Sequence, residues 1–291
     1  MGIRNDIKYR FATLSIAEKL IVVNVLVFIL NLLIPFLFAL HSGIISQWFQ
    51  LPKDLNEFIF QPWSVVTYAF FHAGFSHIFW NMLLLFFASR MFLNLFSARR
   101  FLNVYFLGVI VGGLTFLLSY NLFPAFAGER TALIGASAGV MSVLIFICSY
   151  IPNQEVRIIF FNIKLWYIGA IFVLLDLIQM AYDGNAGGHL AHLGGAFIGF
   201  LYARKLLEGK DIGAGFEKFT STIANIFKPN KKSPLKTVHR RSQSKEVKTS
   251  ASIPKSIKQK QIDDILDKIS KSGYESLSKE EKDFLFKAGK D

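Results

Sequence analysis

The chain has 291 residues, of which 53% are hydrophobic, and carries a formal net charge of +12 at pH 7. Its mean hydropathy is +0.41, and its apolar residues, including 31 phenylalanines, fall in long blocks. This composition excludes an ordinary soluble globular domain and indicates a polytopic membrane protein. The single cysteine, Cys148, also excludes an intrachain disulfide and a cysteine-based metal site.

The first apolar block runs from Leu20 to Leu40, 21 residues without a charge. A helix of that length crosses the roughly 30 Å hydrocarbon core of a bilayer. The block is too long for the apolar region of a signal peptide, and no small-x-small cleavage site follows it, so we expect it to remain as an anchor. Five further blocks complete a predicted all-α bundle of six membrane spans: Ser76–Ala98, Phe101–Tyr120, Leu133–Pro152, Leu165–Tyr182 and Gly188–Ala203.

Basic residues near the span ends predict the orientation of the bundle. They lie before span 1, between spans 2 and 3, between spans 4 and 5, and after span 6: Arg4, Lys8, Arg10, Lys19, Arg99, Arg100, Arg157, Lys164, Arg204 and Lys205. The opposite loops carry only Lys53 and Arg130. The positive-inside rule therefore places both termini in the cytoplasm. The N-terminal residues lack the Arg- and Ser-rich pattern of a transit peptide, so we expect a bacterial cytoplasmic membrane.

Three regions are predicted in chain order. Residues 1–207 form the six-span core, and residues 208–260 form an interfacial helix, within "GFEKFTSTIANIF", followed by a basic disordered linker. The linker is expected to bind anionic lipid headgroups rather than nucleic acid, the alternative being a tail that is only solvated. Residues 261–291 predict a small module of two amphipathic helices, in which Ser278 and Glu281 form a capping box.

Polar residues in the apolar blocks are costly in a membrane and usually face a bundle interior or a wet cavity. Span 2 begins with "HAGFSHIFWN", in which His77 and Asn81 share a helix face, and His72 precedes them. Ser137 lies in "GASAG" at the start of span 4, and His189 and His192 lie in "GGHLAHLGGAFIG" of span 6. The predicted topology puts these groups at the outer ends of their helices, where they can share one cavity.

Helix length indicates that Ser137 lies below the outer membrane surface. From Ser137 to Ile151 a helix spans about 22 Å, less than the core of about 30 Å. Small residues flank the serine and recur every fourth position in span 6: Gly135, Gly139, Ala191, Gly195, Gly199 and Ala203. This pattern brings membrane helices into close backbone contact, so we expect Ser137 to meet His192. A serine within reach of a histidine is a nucleophile with its general base, although His189 fits the same geometry.

Other interpretations of these residues remain. The serine can be a packing residue, and the two span 6 histidines can be metal ligands, although their spacing without a nearby acid or thiol is a weak metal signal. "GASAG" also matches the nucleophile elbow of α/β-hydrolases, but that elbow needs a buried strand that these membrane helices exclude. Asp176 lies eleven residues past Leu165, which places it nearer the middle of span 5, so we expect a buried structural or polar-network residue, the less favoured alternative being the third member of a catalytic triad. Without other embedded acid or base pairs, a transporter is disfavoured.

With these motifs in this order on six spans, residues 10–207 resemble the rhomboid intramembrane serine proteases. The resemblance implies a Ser137–His192 dyad without a required acid, and an oxyanion hole made by the Ser137 backbone N–H with His77 and Asn81. It also implies a partly submerged first loop over residues 41–75, substrate entry beside span 5, single-span or multi-span membrane proteins as substrates, and no metal or cofactor. The alternative is a catalytically inactive rhomboid-like protein that binds and escorts membrane clients.

The chain departs from the usual rhomboid pattern at three places. Ala138 replaces the last glycine of the serine motif, and Ser64 stands where an arginine commonly follows Trp63. Met141 stands where an aromatic residue often packs on the catalytic histidine. We therefore expect a less firmly anchored first loop and a less rigidly held His192, although methionine can still pack on its ring.

Overall fold

Helices build most of the structure, a computed structural model that describes residues 3–126, 128, 131–158, 160–182, 184–226 and 255–288. The helices are α1 (Ile3–Thr13), α2 (Ile16–Leu37), α3 (Leu55–Phe60), α4 (Ser64–Thr67), α5 (Phe75–Leu95), α6 (Ala98–Leu122), α7 (Ser137–Tyr150), α8 (Leu165–Gln179), α9 (Ala186–Leu207), α10 (Gly213–Ile226), α11 (Lys255–Ser272) and α12 (Lys279–Ala288). The chain divides into two units, residues 1–229 and 230–291.

Two short antiparallel strand pairs connect the helices. Strand β1 (Leu51–Pro52) of the first loop pairs with β2 (Ala132–Leu133), immediately before α7. Strand β3 (Glu155–Ile158) pairs with β4 (Phe161–Lys164) between α7 and α8. The first pair ties the first loop to the chain that leads into Ser137.

Each predicted span contains a helix, namely α2 and α5 to α9. Helices α2, α5 and α6 are long and apolar enough to cross a membrane, whereas α7 and α8 are apolar but shorter. The chain is thus a membrane protein, and the number of spans and the side of the termini stay predictions. Helix α2 begins at Ile16, earlier than predicted, because Ser15 and Glu18 form a reciprocal capping box there.

Helix α7 lies at the centre of the first unit. Every residue from Ala138 to Cys148 is buried, as expected for a helix that is apolar on all sides. It packs against α5, α6, α8 and α9. Gly195 and Gly199 of α9 lie so close to the backbone of α7 that a Cβ atom on them would overlap the carbonyl oxygens of Ala138 and Ser142. The backbones of α7 and α9 are therefore nearly in contact.

Helix α10 is present where the interfacial helix is predicted, and it follows a polar junction. Arg99 at the start of α6 forms an ion pair with Glu217 of α10 at 2.7 Å. Arg100 donates to Asp211 at 2.9 Å, and the Tyr202 hydroxyl donates to the same carboxylate. These contacts join the start of α6 to the segment between α9 and α10.

The second unit contains α11 and α12. The capping box of Ser278 and Glu281 is confirmed by hydrogen bonds in both directions, 2.7 and 3.2 Å long. Lys268 of α11 also donates to Glu281 at 2.9 Å, and Ile265 and Leu277 are buried. Helix α11 begins at Lys255, so its first turn covers residues that the sequence assigned to the basic linker. The rest of that linker, residues 227–254, lies outside the described residues.

Candidate active site

Ser137 is the first residue of α7 and follows a tight turn. Gly135 has φ +125°, a backbone conformation that disfavours side chains, and its N–H donates to the Tyr68 carbonyl at 3.0 Å. A Cβ atom at Gly135 would lie 2.7 Å from Nε2 of His77 and 3.7 Å from Oγ of Ser137. Glycine is thus needed here for its conformation and for space, and His77 and Ser137 converge on it.

Helix α5 supplies His77 and Asn81, one turn apart. The Ala73 N–H donates to Nδ1 of His77 at 3.4 Å, so the ring proton of a neutral His77 resides on Nε2, which lies beside Gly135. The Asn81 amide is oriented by one hydrogen bond, in which its Nδ2 donates to the His77 carbonyl at 2.9 Å. That amide has a second N–H to offer.

One cavity of about 230 Å³ joins Ser137, His192 and Asn81, whereas His77 is not among the residues that line it. Helices α5, α7, α8 and α9 all contribute to its wall, which includes Asn81, Ser137, Met141, Asp176, His189 and His192. Ser137 and His192 are half-buried, whereas Asn81 is buried. The structure thus brings the predicted nucleophile, the predicted base and one predicted oxyanion donor to the same cavity.

Asp176 is buried in a polar network, as expected, but it lies in this site and not near the middle of its helix. Because α8 ends at Gln179 and not at Tyr182, Asp176 belongs to its last turn rather than to its middle. Its Oδ1 atom is 2.7 Å from Nδ1 of His189 and 2.8 Å from Nδ1 of His192. The sequence did carry a signal for Asp176, because an ionisable side chain in an apolar span is usually functional. It could not show that the partners of this carboxylate are the two histidines of α9.

Among the described residues, the side chains of Asp176, His189 and His192 also form a candidate metal site. Their ligand atoms all lie within 4.8 Å of one another, so the acid that the sequence argument lacked is present. However, two ligands about 2.1 Å from a tetrahedral zinc ion are about 3.4 Å apart. The N···O separations of 2.7 and 2.8 Å are hydrogen-bond lengths instead. The side chains are arranged to bind each other.

His72 supports the turn before Ser137. It is 3% exposed, and its Nε2 accepts a hydrogen bond from the Ala136 N–H at 3.4 Å. Its ring also packs edge-on against that of His77, with centroids 5.1 Å apart. His72 therefore holds the backbone that precedes the serine and orients a neighbouring histidine.

Hydrogen bonds anchor the first loop without the missing arginine. The Trp63 indole donates to the Trp48 carbonyl at 2.8 Å, and the Thr67 hydroxyl donates to the Phe49 carbonyl at 2.9 Å. The buried Tyr68 hydroxyl donates to the Val109 carbonyl of α6 at 2.7 Å. These contacts hold the first loop, whereas the buried Ser64 hydroxyl makes no hydrogen bond within the described residues.

Comparison with known proteins gives matches for both units. The family model of the rhomboid domain matches residues 60–209, and that of a family of unknown function matches residues 251–287. Presenilin-associated rhomboid-like protein, mitochondrial, from Rattus norvegicus is 27% identical over 208 residues, which are 69% of this chain and 52% of that protein. Presenilin-associated rhomboid-like protein A, mitochondrial, from Danio rerio is 29% identical over 141 residues, 47% of this chain and 36% of that protein. The chain thus spans about half the length of these relatives or less.

Proposed function

Because the chain belongs to the rhomboid family, we propose that it is an intramembrane serine protease that hydrolyses peptide bonds in or next to transmembrane helices. Ser137 is the nucleophile and His192 the general base. The observation that supports this assignment is the cavity shared by Ser137, His192 and Asn81, three polar side chains from three apolar helices. A protein that only binds clients has no need of this combination.

The reaction follows the chemistry of a serine with its base. His192 takes the Oγ proton of Ser137 as the oxygen attacks the scissile carbonyl, and it then gives that proton to the leaving amine. Water, activated by the same histidine, hydrolyses the acyl-enzyme and releases Ser137. The substrate helix must unwind locally, because only then is its scissile peptide bond exposed to Ser137. Helix-weakening residues are therefore expected at the cleavage site.

Three N–H donors are proposed to stabilise the negative charge that develops on the scissile carbonyl oxygen. They are the Ser137 backbone N–H, which lies in the first turn of α7 and has no partner within the helix, the His77 Nε2–H and the free N–H of Asn81. Fixed donors of this kind contribute about 3 kcal/mol each to transition-state stabilisation in a site that excludes water. The tautomer of His77 and the orientation of Asn81 suit this function.

The chemistry of the cavity wall suggests the class of substrate. Phe172 and Leu175 of α8 and Leu84 of α5 line the same cavity, so a transmembrane segment that enters beside α8 meets an apolar wall. The proposed substrates are single-span or multi-span membrane proteins, and the proposed compartment is a bacterial cytoplasmic membrane. The basic segment of residues 208–260 is proposed to contact anionic lipids rather than nucleic acid.

A cleavage assay tests the proposal. The full-length protein is reconstituted with a single-span substrate that carries helix-weakening residues near its outer end. Wild type is expected to cleave it, whereas Ser137→Ala and His192→Ala are expected to be inactive, and the double variant no worse than either. If wild type binds the substrate without cleaving it, and Ser137→Ala binds it equally well, the escort function is supported instead.

A further inference from the structure

We propose that Asp176 is a positioning residue that orients the base of the Ser137–His192 pair through a hydrogen bond to His192, with His189 holding the carboxylate in place. This inference rests on the proposed function and adds a member to its machinery. Its basis is a single carboxylate oxygen, Oδ1 of Asp176, within hydrogen-bond distance of Nδ1 atoms from two histidines.

The geometry sets the tautomer of both rings. An ionised carboxylate can only accept hydrogen bonds, so each Nδ1 must carry its proton and donate it to Asp176. In a neutral imidazole the other nitrogen is then an acceptor. For His192 that acceptor is Nε2, the atom that must take the Ser137 proton. Asp176 therefore selects the reactive tautomer before the substrate arrives.

Burial separates the functions of the two histidines. The side chain of His189 is 6% exposed and that of Asp176 is 8% exposed, whereas that of His192 is 22% exposed. His192 is thus the ring that a substrate can reach, and His189 is enclosed beside the carboxylate. Since α9 presents the two histidines three residues apart, both meet the last turn of α8 on one face.

The carboxylate also acts on the charged intermediate. When His192 receives the Ser137 proton at Nε2, the ring carries a positive charge, and its Nδ1–H remains hydrogen-bonded to the negative carboxylate. No proton passes to Asp176 in this step. A pair of opposite charges at 2.8 Å that is largely shielded from water attracts more strongly than it would in water, so the imidazolium that forms during acylation is stabilised.

Matched substitutions test this function. Asp176→Asn keeps the size of the side chain and removes its charge, and it is expected to lower kcat by at least about 100-fold with little change in KM, as loss of the acid does in serine protease triads. Asp176→Glu should restore part of the activity because it keeps the carboxylate. His189→Ala is expected to retain cleavage at a reduced rate. Asp54→Asn, the same chemical change at a helix cap in the first loop, should leave cleavage unchanged, since Asn caps as well as Asp.

The tautomer itself can be measured without cleavage. In full-length protein labelled with [15N]histidine, His192 and His189 should each give the signature of an Nδ1–H tautomer, assigned by loss of the signal in His192→Ala and His189→Ala. Asp176→Asn should shift His192 away from that tautomer. Since this readout needs no substrate and is made first on wild type, an unstable Asp176 variant does not prevent the test.

Three results would overturn the inference. The first is an Nε2–H tautomer of His192 in wild type, and the second is a kcat of Asp176→Asn equal to that of wild type. The third is stoichiometric zinc in wild type that is lost from Asp176→Asn, which would make the three side chains a metal site. An inactive wild type with the expected tautomers would instead contradict the proposed protease function and leave the positioning of His192 by Asp176 standing.

Discussion

The contact between α7 and α9 allows the position of the nucleophile to be perturbed from outside the cavity. Gly195→Ala adds a Cβ atom that would overlap the carbonyl oxygen of Ala138 and lie 2.9 Å from its carbonyl carbon and 3.1 Å from its Cα. These are backbone atoms next to Ser137, so they cannot move aside as the end of a flexible side chain would. Ordinary contacts of a Cβ atom are 3.4–4 Å long, so the two helices must separate locally.

Gly195→Ala is expected to lower both the free energy of unfolding and the rate of cleavage. Overpacking of this kind typically lowers the free energy of unfolding by about 1–3 kcal/mol. A displacement of the nucleophile from its base by about 1 Å can lower the rate about 100-fold. We therefore expect Gly195→Ala to fold and to lose most of its kcat, so that activity falls far more than the fraction of folded protein.

Two assays on one preparation measure the two effects. Unfolding in detergent gives the change in stability, and cleavage of the single-span substrate gives the change in kcat. Gly215→Ala in α10 is the matched control, because a Cβ atom there meets nothing within 4 Å. Its unfolding free energy should rise by at most about 1 kcal/mol, the difference in helix propensity between Ala and Gly, and its kcat should not change. If Gly195→Ala has the kcat and the stability of wild type, the backbone contact between α7 and α9 does not determine the position of Ser137, and the reasoning is refuted.

Three further predictions concern the oxyanion hole, the polar junction and the tail. Asn81→Ala should lower kcat about 100-fold with little change in KM, because its hydrogen bond strengthens as the oxyanion forms; a loss of substrate binding instead would make Asn81 a docking residue. Burial raises the pKa of the Asp211 carboxyl, but hydrogen bonds from Tyr202 and Arg100 outweigh it and hold the pKa below the usual value. The stabilisation by Asp211 should therefore be complete above its unfolded-state pKa and disappear as the pH falls through its folded-state pKa. The melting temperatures of wild type and Asp211→Asn should then converge in acid. A difference that stays constant with pH would contradict this. Residues 208–260 should bind vesicles with acidic lipids and dissociate as salt rises, and equal binding to neutral vesicles would contradict the electrostatic part.

The candidate site residues could be selected from the sequence because each is a polar group in an apolar block. Ser137, His77, Asn81 and His192 all stand out in this way, and their places at helix ends follow from span lengths and charge bias. The two capping boxes, at Ser15 and Ser278, follow purely local rules, although only the second was predicted. Signals that lie within one helix were therefore sufficient to collect the candidate residues.

Features that depend on two distant segments could not be predicted. Strands β1 and β2 have two residues each, too few to show any periodicity, and they pair across the chain from Leu51 to Leu133. The position of Asp176 depends on where α8 ends and on which face of α9 it meets. Its apolar neighbours extend past Gln179, so the sequence pattern placed the helix end too late and the acid too far from the histidines.

Labelling with a serine-directed phosphonate tests the central claim most directly. The reagent reacts efficiently only with a serine whose base is in place, so it reports on the Ser137–His192 pair without any choice of substrate. Wild type should incorporate one phosphonate per chain, mapped by mass spectrometry to Ser137, with no labelling of Ser137→Ala and weak labelling of His192→Ala. An unlabelled wild type that is folded and binds membrane clients would contradict the account and show that Ser137 is only a small residue at a helix contact.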